Sequence, residues 1–198
     1  SLATHRANIE ARKSQAIFGI IQGGRYPDLR AESAKIIGDM GFDGFGIGGS
    51  FSKADLGEAL QAAIAPLPAD KPRHLLGIGE PEDLFEGVAH GIDMFDCVLP
   101  TRLGRTGTIY TKTGKVDVRK AEQSQNYTPF STIPELQPYT YAYLHHLFRA
   151  GEMLGPLLAS IHNLNFIVGL MSDIRQAVME ARLDDLKSDF LSAYRGVQ

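Results

Sequence analysis

Apolar residues gather in four short runs along the first half of the chain: Ala16 to Gln22, Phe42 to Gly48, His74 to Gly79 and Met94 to Leu99. Their length and their flanking Gly and Pro residues predict buried strands. Between them the apolar positions recur at helical spacing. One helix is expected from about Pro27 to Met40, with Leu29, Ile36, Ile37 and Met40 on one face and Gly41 as its stop. A second is expected from Ser52, whose spacing to Asp55 is a capping-box variant, and it presents Leu56, Leu60 and Ile64. A third starts near Pro81, carries Leu84, Phe85 and Val88, and ends at Gly91. A polar, helix-like segment from Thr4 to Lys13 leads into the first strand. Strand and helix alternating every ~25 residues predict parallel βα units.

The pattern changes after Leu99. Gly107 to Lys120 alternates around Thr113-Gly114 and predicts a β-hairpin. Gln123 to Pro138 is interrupted by Pro129, Pro134 and Pro138 and predicts a loop. Helices are expected over Tyr139 to Leu154 and Ile161 to Glu180, and from about Leu183, with Leu183, Leu186, Phe190, Leu191 and Tyr194 on the buried side of the last. The expected organisation is an α/β part over 1–120 that ends in the hairpin, followed by a helical part over 121–198.

The four strand ends carry the candidate chemistry. They read Gln22-Gly23-Gly24, Gly48-Gly49-Ser50, Gly77-Ile78-Gly79, and Asp96 followed by Pro100-Thr101-Arg102. Glycines at the C-terminal ends of parallel strands let a ligand approach the backbone, and that edge is where α/β sheets and (β/α)8 barrels place their sites. Any one of these glycines alone is an ordinary tight turn. Asp96 interrupts an apolar run, and a carboxylate inside a buried strand is costly unless compensated. The run is expected to break at Pro100 into a loop bearing Arg102 and Arg105, two guanidinium groups suited to phosphate. Between Arg102 and Lys120 the basic residues Arg102, Arg105, Lys112, Lys115, Arg119 and Lys120 face one acid, Asp117. That local strip fits a polyanion, and it also fits a plain solvated hairpin face.

Composition sets bounds. With 198 residues, 43% hydrophobic and 22% charged, the chain is an ordinary globular sequence with room for a core. The formal net charge of −3 does not itself point to nucleic acid. A single cysteine, Cys97, makes no internal disulfide and suits a reducing cytoplasm, most simply as a small buried thiol. No unbroken apolar run reaches the ~18 residues of a membrane helix, and Ser1 to Ser14 lacks a signal-peptide core, so no membrane role is expected.

The segments FDCVLPTRLGRTG (Phe95 to Gly107), FGIIQGG (Phe18 to Gly24), GFDGFGIGG (Gly41 to Gly49), HLLGIGEPEDL (His74 to Leu84), AYLHHL (Ala142 to Leu147) and IHNL (Ile161 to Leu164) together resemble the tRNA-guanine transglycosylase family, bacterial type. The resemblance runs in order over nearly the whole chain but covers only the C-terminal half of the family. It implies the last four βα units of a (β/α)8 barrel, a hairpin and a helical C-terminal subdomain. It also implies exchange of guanine at the tRNA anticodon wobble position for a 7-deazaguanine base, as in queuosine biosynthesis. By resemblance Asp96 is the nucleophile that forms a covalent ribosyl intermediate. A carboxylate is chemically competent for that role, as in retaining glycosidases, and the target nucleotide must leave its stack to reach it. Gln22 and Gly49 match positions that hold the base, with Gly48, Leu76 and Gly77 as pocket wall. Gly79, Thr101, Arg102 and Arg105 match the segments that grip the anticodon loop.

Two departures from the family follow. Its structural zinc is held by C-x-C-x-x-C and a histidine; the cysteine positions fall here on Ser131, Ile133 and Leu136, and only His162 is retained. No metal is therefore expected, with Pro129, Pro134, Ile133 and Leu136 supplying rigidity and apolar packing instead, and with His145 and His146 as surface or packing residues. The family's acid/base aspartate also belongs to the half not matched. The chain alone is thus expected to be very weak or inactive, and either to self-associate through its open strand edges or to be completed by the missing half. A non-catalytic tRNA-binding accessory subunit, an inactive fragment, and the phosphate-binding half of a metabolic (β/α)8 enzyme are the competing readings.

Overall fold

The computed structural model describes residues 2–8, 13–49 and 56–195. The chain divides into two compact units, 1–97 and 98–198. That division falls ahead of the boundary at 120 read from the sequence, so the arginine segment and the hairpin expected over Gly107 to Lys120 belong to the second unit.

In the first unit a short helix α1 (Leu2–Ala7) precedes β1 (Phe18–Ile21), α2 (Pro27–Gly38), β2 (Gly44–Ile47), α3 (Leu56–Ile64), β3 (Arg73–Leu75), α4 (Pro81–Ala89) and β4 (Met94–Phe95). The proposed cap at Ser52–Asp55 and part of the helix-like segment from Thr4 to Lys13 lie outside the described residues. The strands form one parallel sheet in the order β1-β2-β3-β4. Phe18 and Ile20 pair with Gly44 and Gly46, Phe45 and Ile47 with Arg73 and Leu75, and His74 and Leu75 with Met94 and Phe95.

Alternation along the strands sorts the sheet's two faces. Ile21, Phe45, Ile47 and Leu75 are fully buried on one face, packed with Ala34, Leu60 and Ala63 of the helices. Each such side chain contributes about 1.5–3 kcal/mol through burial. Ile20 and Met94, on the opposite face, are exposed.

Two expectations fail here. On α2 the buried positions are Arg30 and Ala34; of the expected face, Ile37 packs against the core, while Leu29, Ile36 and, just past the helix, Met40 are exposed. The buried face is thus displaced by about one residue from most of the one read from apolar spacing. The strands are also shorter than the apolar runs. The fourth stops at Phe95, so Asp96 lies beyond the strand, its side chain 58% exposed, and no desolvation needs offsetting.

The second unit opens with α5 (Leu99–Arg105), then β5 (Thr108–Thr111) and β6 (Gly114–Asp117), which pair antiparallel. The loop expected after Pro100 is therefore a helix. Proline is tolerated in the first turn, where its missing N–H has no intrahelical partner, so Pro100 starts α5 instead of breaking the chain. Two 3₁₀ turns, Ala121–Gln125 and Pro134–Leu136, shape the segment read as a loop. Helices α6 (Tyr141–Ala150), α7 (Leu154–Met179) and α8 (Leu183–Arg195) follow. Ile109, Phe130, Leu136, Leu144 and Leu158 form this unit's core.

Helix α7 is 26 residues long with a mean hydropathy of 1.4 over its most apolar stretch, enough by length and composition to cross a membrane. This departs from the expectation drawn from unbroken runs, which His162 and Asn163 interrupt. Both side chains hydrogen-bond to neighbouring elements, while only 28% of that stretch is buried. Helices α5 and α7 approach closely at Gly104, where a Cβ would lie 2.7 Å from the Ser160 backbone. Any larger residue there would force the two helices apart.

Candidate functional site

In the first unit, register brings several of the candidate residues onto the sheet's open face. Gln22 and Gly48 continue β1 and β2 on the side shared by Ile20 and Gly46. Leu76 and Asp96 continue β3 and β4 on the side shared by His74 and Met94. Gln22 is exposed, and its backbone N–H donates to Ser33 Oγ at 3.2 Å. Its amide lies over Gly48: a Cβ at Gly48 would sit 2.7 Å from Gln22 Nε2. Gly49 follows at φ +109°, a conformation that L side chains rarely adopt.

Asp96 is held from β3 and the turn after it. The Gly77 N–H donates to Asp96 Oδ1 at 3.1 Å, and His74 Nε2 lies 3.0 Å from the same oxygen. Among the described residues no hydrogen bond reaches Oδ2. Gly79 is buried, and a Cβ there would meet Cys97 Cβ at 2.4 Å. Cys97 is half-buried, less enclosed than expected, with Sγ 3.8 Å from the Gly77 carbonyl.

Two residues of this region are given no role by the sequence reading. His74 enters it only within an apolar run and as the first residue of the HLLGIGEPEDL segment. Arg30 is fully buried and donates from Nε to the Gly24 carbonyl at 2.7 Å and from an η nitrogen to the Gly48 carbonyl at 3.1 Å. Burial pushes its guanidinium pKa down from the usual value. It ties together the ends of β1 and β2, and the sequence reading assigns it no role.

In the second unit Thr101 is half-buried and donates from Oγ1 to the Val98 carbonyl at 3.1 Å, within α5. Arg102 and Arg105 are exposed on the same helix and make no ion pair among the described residues. Asn163 of α7, fully buried, was missed as a structural residue. Its Oδ1 accepts from the Tyr110 N–H at 2.9 Å, and its Nδ2 donates to the Pro100 and Thr108 carbonyls at 2.9 and 3.0 Å. It fastens the start of the arginine helix and strand β5 to α7.

The positions expected to replace a metal site are also in this unit. Ser131 and Leu136 are buried and Ile133 is half-buried. His162 Nε2 is 2.7 Å from the Tyr110 carbonyl and Nδ1 is 3.0 Å from Ser131 Oγ. A carbonyl only accepts, so Nε2 carries the proton and Nδ1 accepts from the serine hydroxyl. The serine oxygen in turn accepts from the Ile133 N–H at 3.2 Å. Burial holds the His162 pKa below its usual value, partly offset by the Tyr110 carbonyl. Both ring nitrogens are committed, and Ile133 and Leu136 offer no donor atom. This donor set does not fit a tetrahedral zinc ion. Among the described residues no three His, Cys, Asp or Glu side chains cluster as a metal would require. His145 is half-buried with Nδ1 2.9 Å from the Val118 carbonyl, and His146 is exposed.

Parallel βα units with a carboxylate, an amide and glycines gathered at the C-terminal strand ends define a class: α/β folds that place their sites at that rim. Comparison with known proteins narrows it. The family model for queuine tRNA-ribosyltransferase matches residues 1–196, and the chain belongs to that family. Relatives named queuine tRNA-ribosyltransferase include those of Desulforamulus reducens, 46% identical over 192 residues (94% of this chain, 52% of the relative), and Desulforudis audaxviator, 46% over 197 residues (96% and 53%). That of Caldanaerobacter subterraneus subsp. tengcongensis is 47% identical over 188 residues (92% and 50%). The chain thus spans about half the length of the curated relatives it matches.

Proposed function

We propose that the chain is the nucleophile-bearing part of a cytoplasmic tRNA-guanine transglycosylase that replaces guanine in the anticodon loop of tRNA with a 7-deazaguanine base. The observation that carries this reading is the exposed Asp96 carboxylate, anchored through Oδ1 and open at Oδ2, on the same sheet face as Gln22. An Oδ2 lone pair forms a bond to the ribose C1′ as the C1′–N9 bond breaks. The electron pair leaves with guanine, which takes up a proton. The incoming base then attacks C1′ through its N9, gives up the N9 proton and releases the carboxylate, so two inversions retain configuration.

Gln22 and the Gly48-Gly49 backbone hydrogen-bond the base, and Leu76 and Gly77 line its pocket. Gly79, Thr101, Arg102 and Arg105 hold the anticodon loop, the two arginines through phosphates.

The sheet is completed by further βα units outside this chain, closing a (β/α)8 barrel. Supporting this are β1 and β4, which have no second strand partner among the described residues, the exposed Ile20 and Met94 on the sheet's open face, and the exposed Leu29 and Ile36 on α2 with Met40 just after it. The general acid–base group lies in that missing part. The second unit folds without zinc, with the Ser131–His162–Tyr110 hydrogen bonds taking the metal's place.

The test is exchange of labelled guanine into unmodified tRNA by the full-length polypeptide. Parent protein exchanges; Asp96→Ala falls to background; the 198-residue chain alone is slower by at least about a hundredfold, the lower range for loss of acid–base assistance. Exchange that survives Asp96→Ala refutes the reading, and stoichiometric zinc in the purified protein refutes the metal-free scaffold.

A further inference from the structure

The His74–Asp96 pair goes beyond the family reading, although it rests on Asp96 being the nucleophile. His74 is the central residue of β3, and pairing with Met94 puts its ring on the open face, two residues before Asp96 in register. Its side chain is 23% exposed, and its Nε2 is 3.0 Å from Asp96 Oδ1. Nε2 itself is buried and has no aligned hydrogen-bond partner. The contact is thus close but bent. Hydrogen bonds in catalytic sites are often poorly aligned without substrate and tighten when it binds. An ionised carboxylate only accepts, so the favourable form of this contact has the proton on Nε2.

We propose that His74 is the positioning residue of the nucleophile. Its Nε2–H and the Gly77 N–H together clamp Oδ1, which fixes the carboxylate plane and leaves Oδ2 as the attacking oxygen. The two donors come from β3 and the turn that follows it, so the clamp is set by the β3–β4 register. An exposed aspartate without it would rotate freely about its Cα–Cβ and Cβ–Cγ bonds. A misplacement of about 1 Å at a reacting atom costs on the order of a hundredfold in rate. His74 does not touch the ribose, and its effect reaches the chemistry through Asp96.

The experiment uses full-length protein and three variants: His74→Phe, which keeps a ring and removes the donor; His74→Gln, which restores an amide N–H; and Asp96→Asn. The readouts are the rate of forming a denaturation-resistant tRNA adduct and the separate kcat and KM for tRNA. His74→Phe is expected to lower the adduct rate and kcat about 10- to 100-fold, with KM for tRNA within about twofold of parent. His74→Gln is expected to recover most of that loss. Equal rates in His74→Phe and parent overturn the proposal. So does a loss in which KM rises as much as kcat falls, or one that His74→Gln fails to relieve.

A second readout needs no turnover. In protein labelled with ¹⁵N-histidine, the His74 ring signals are expected to report an Nε2–H form and to shift in Asp96→Asn; unchanged signals overturn the proposal. If parent protein forms an adduct and only the His74 results fail, the nucleophile reading stands and the clamp falls. If parent protein forms none, both fall.

Discussion

Removing the Asn163 side chain is expected to loosen the whole arginine-bearing end of the second unit. In Asn163→Ala the Tyr110 N–H loses its acceptor, and the Pro100 and Thr108 carbonyls each lose a donor. The site is fully buried, so water does not readily replace these partners. An orphaned buried N–H costs about 1–3 kcal/mol, and each lost bond to a carbonyl about 0.5–1.5. The total is about 4 kcal/mol, a large fraction of a typical folding free energy.

Asn163→Asp is a sharper probe. Its ionised carboxylate puts an oxygen where Nδ2 faced two carbonyl oxygens at 2.9 and 3.0 Å. Only the protonated acid donates there, so the folded state raises that group's pKa above the unfolded value near 3.9. Stability of this variant is then highest at low pH and falls as pH rises through the unfolded and then the folded pKa, opposite in slope to an acid stabilised as an anion. Urea unfolding followed by far-UV circular dichroism gives the loss. Hydrogen exchange at the Tyr110 amide locates it. A loss under 0.5 kcal/mol in Asn163→Ala, with the Tyr110 amide still protected, would refute the reasoning.

Arg30→Met leaves the Gly24 and Gly48 carbonyls without their cation and is expected to cost about 2–4 kcal/mol; Arg30→Lys is not expected to rescue it, because a compact ammonium does not span both carbonyls as the guanidinium fork does. Urea midpoints check both, and a rescue by lysine would contradict the bridging role. Arg102→Ala and Arg105→Ala should each leave stability within about 0.5 kcal/mol and reduce the slope of log affinity for tRNA against log salt by roughly 0.7–0.9. Binding measured over a salt series decides this, and unchanged slopes would remove both residues from the RNA interface. Hydrogen bonds from the Arg119 side chain hold the Asp117 carboxyl below the usual range despite some opposing burial. Its stabilisation is complete above the unfolded pKa near 3.9 and lost as pH falls through the lower folded value. Asp117→Asn should therefore flatten the acid limb of the stability curve, and an unaltered limb would exclude the pair as its source.

The strand positions were legible because a strand buried against helices leaves a compact apolar run. Their ends were not. Cys97, Val98 and Leu99 continue the apolar run of β4, yet they form a turn and the start of α5, so Asp96 was read as buried when it is exposed. Pro100 is ambiguous in sequence, since the same residue ends a strand or opens a helix. The candidate residues Gln22, Gly48, Leu76 and Asp96 share a face because parallel register aligns successive strand ends, which alternation alone partly foretells. Arg30, His74 and Asn163 were invisible as anchors. Their partners lie far away in sequence or are backbone carbonyls, and no spacing rule encodes a contact made only after packing. On α2 the buried face carries Arg30 and Ala34 with Ile37 packed on the core, and apolar spacing alone picked out Ile37 but not the polar Arg30 beside it.

The most direct test of the central claim is to incubate full-length protein with unmodified tRNA, denature it, digest it, and sequence the RNA-linked peptide by mass spectrometry. A ribose C1′ attached to the Asp96 carboxylate, absent in Asp96→Asn, is the predicted result. A linkage at another side chain, or turnover of guanine with no linkage at Asp96, would contradict the account.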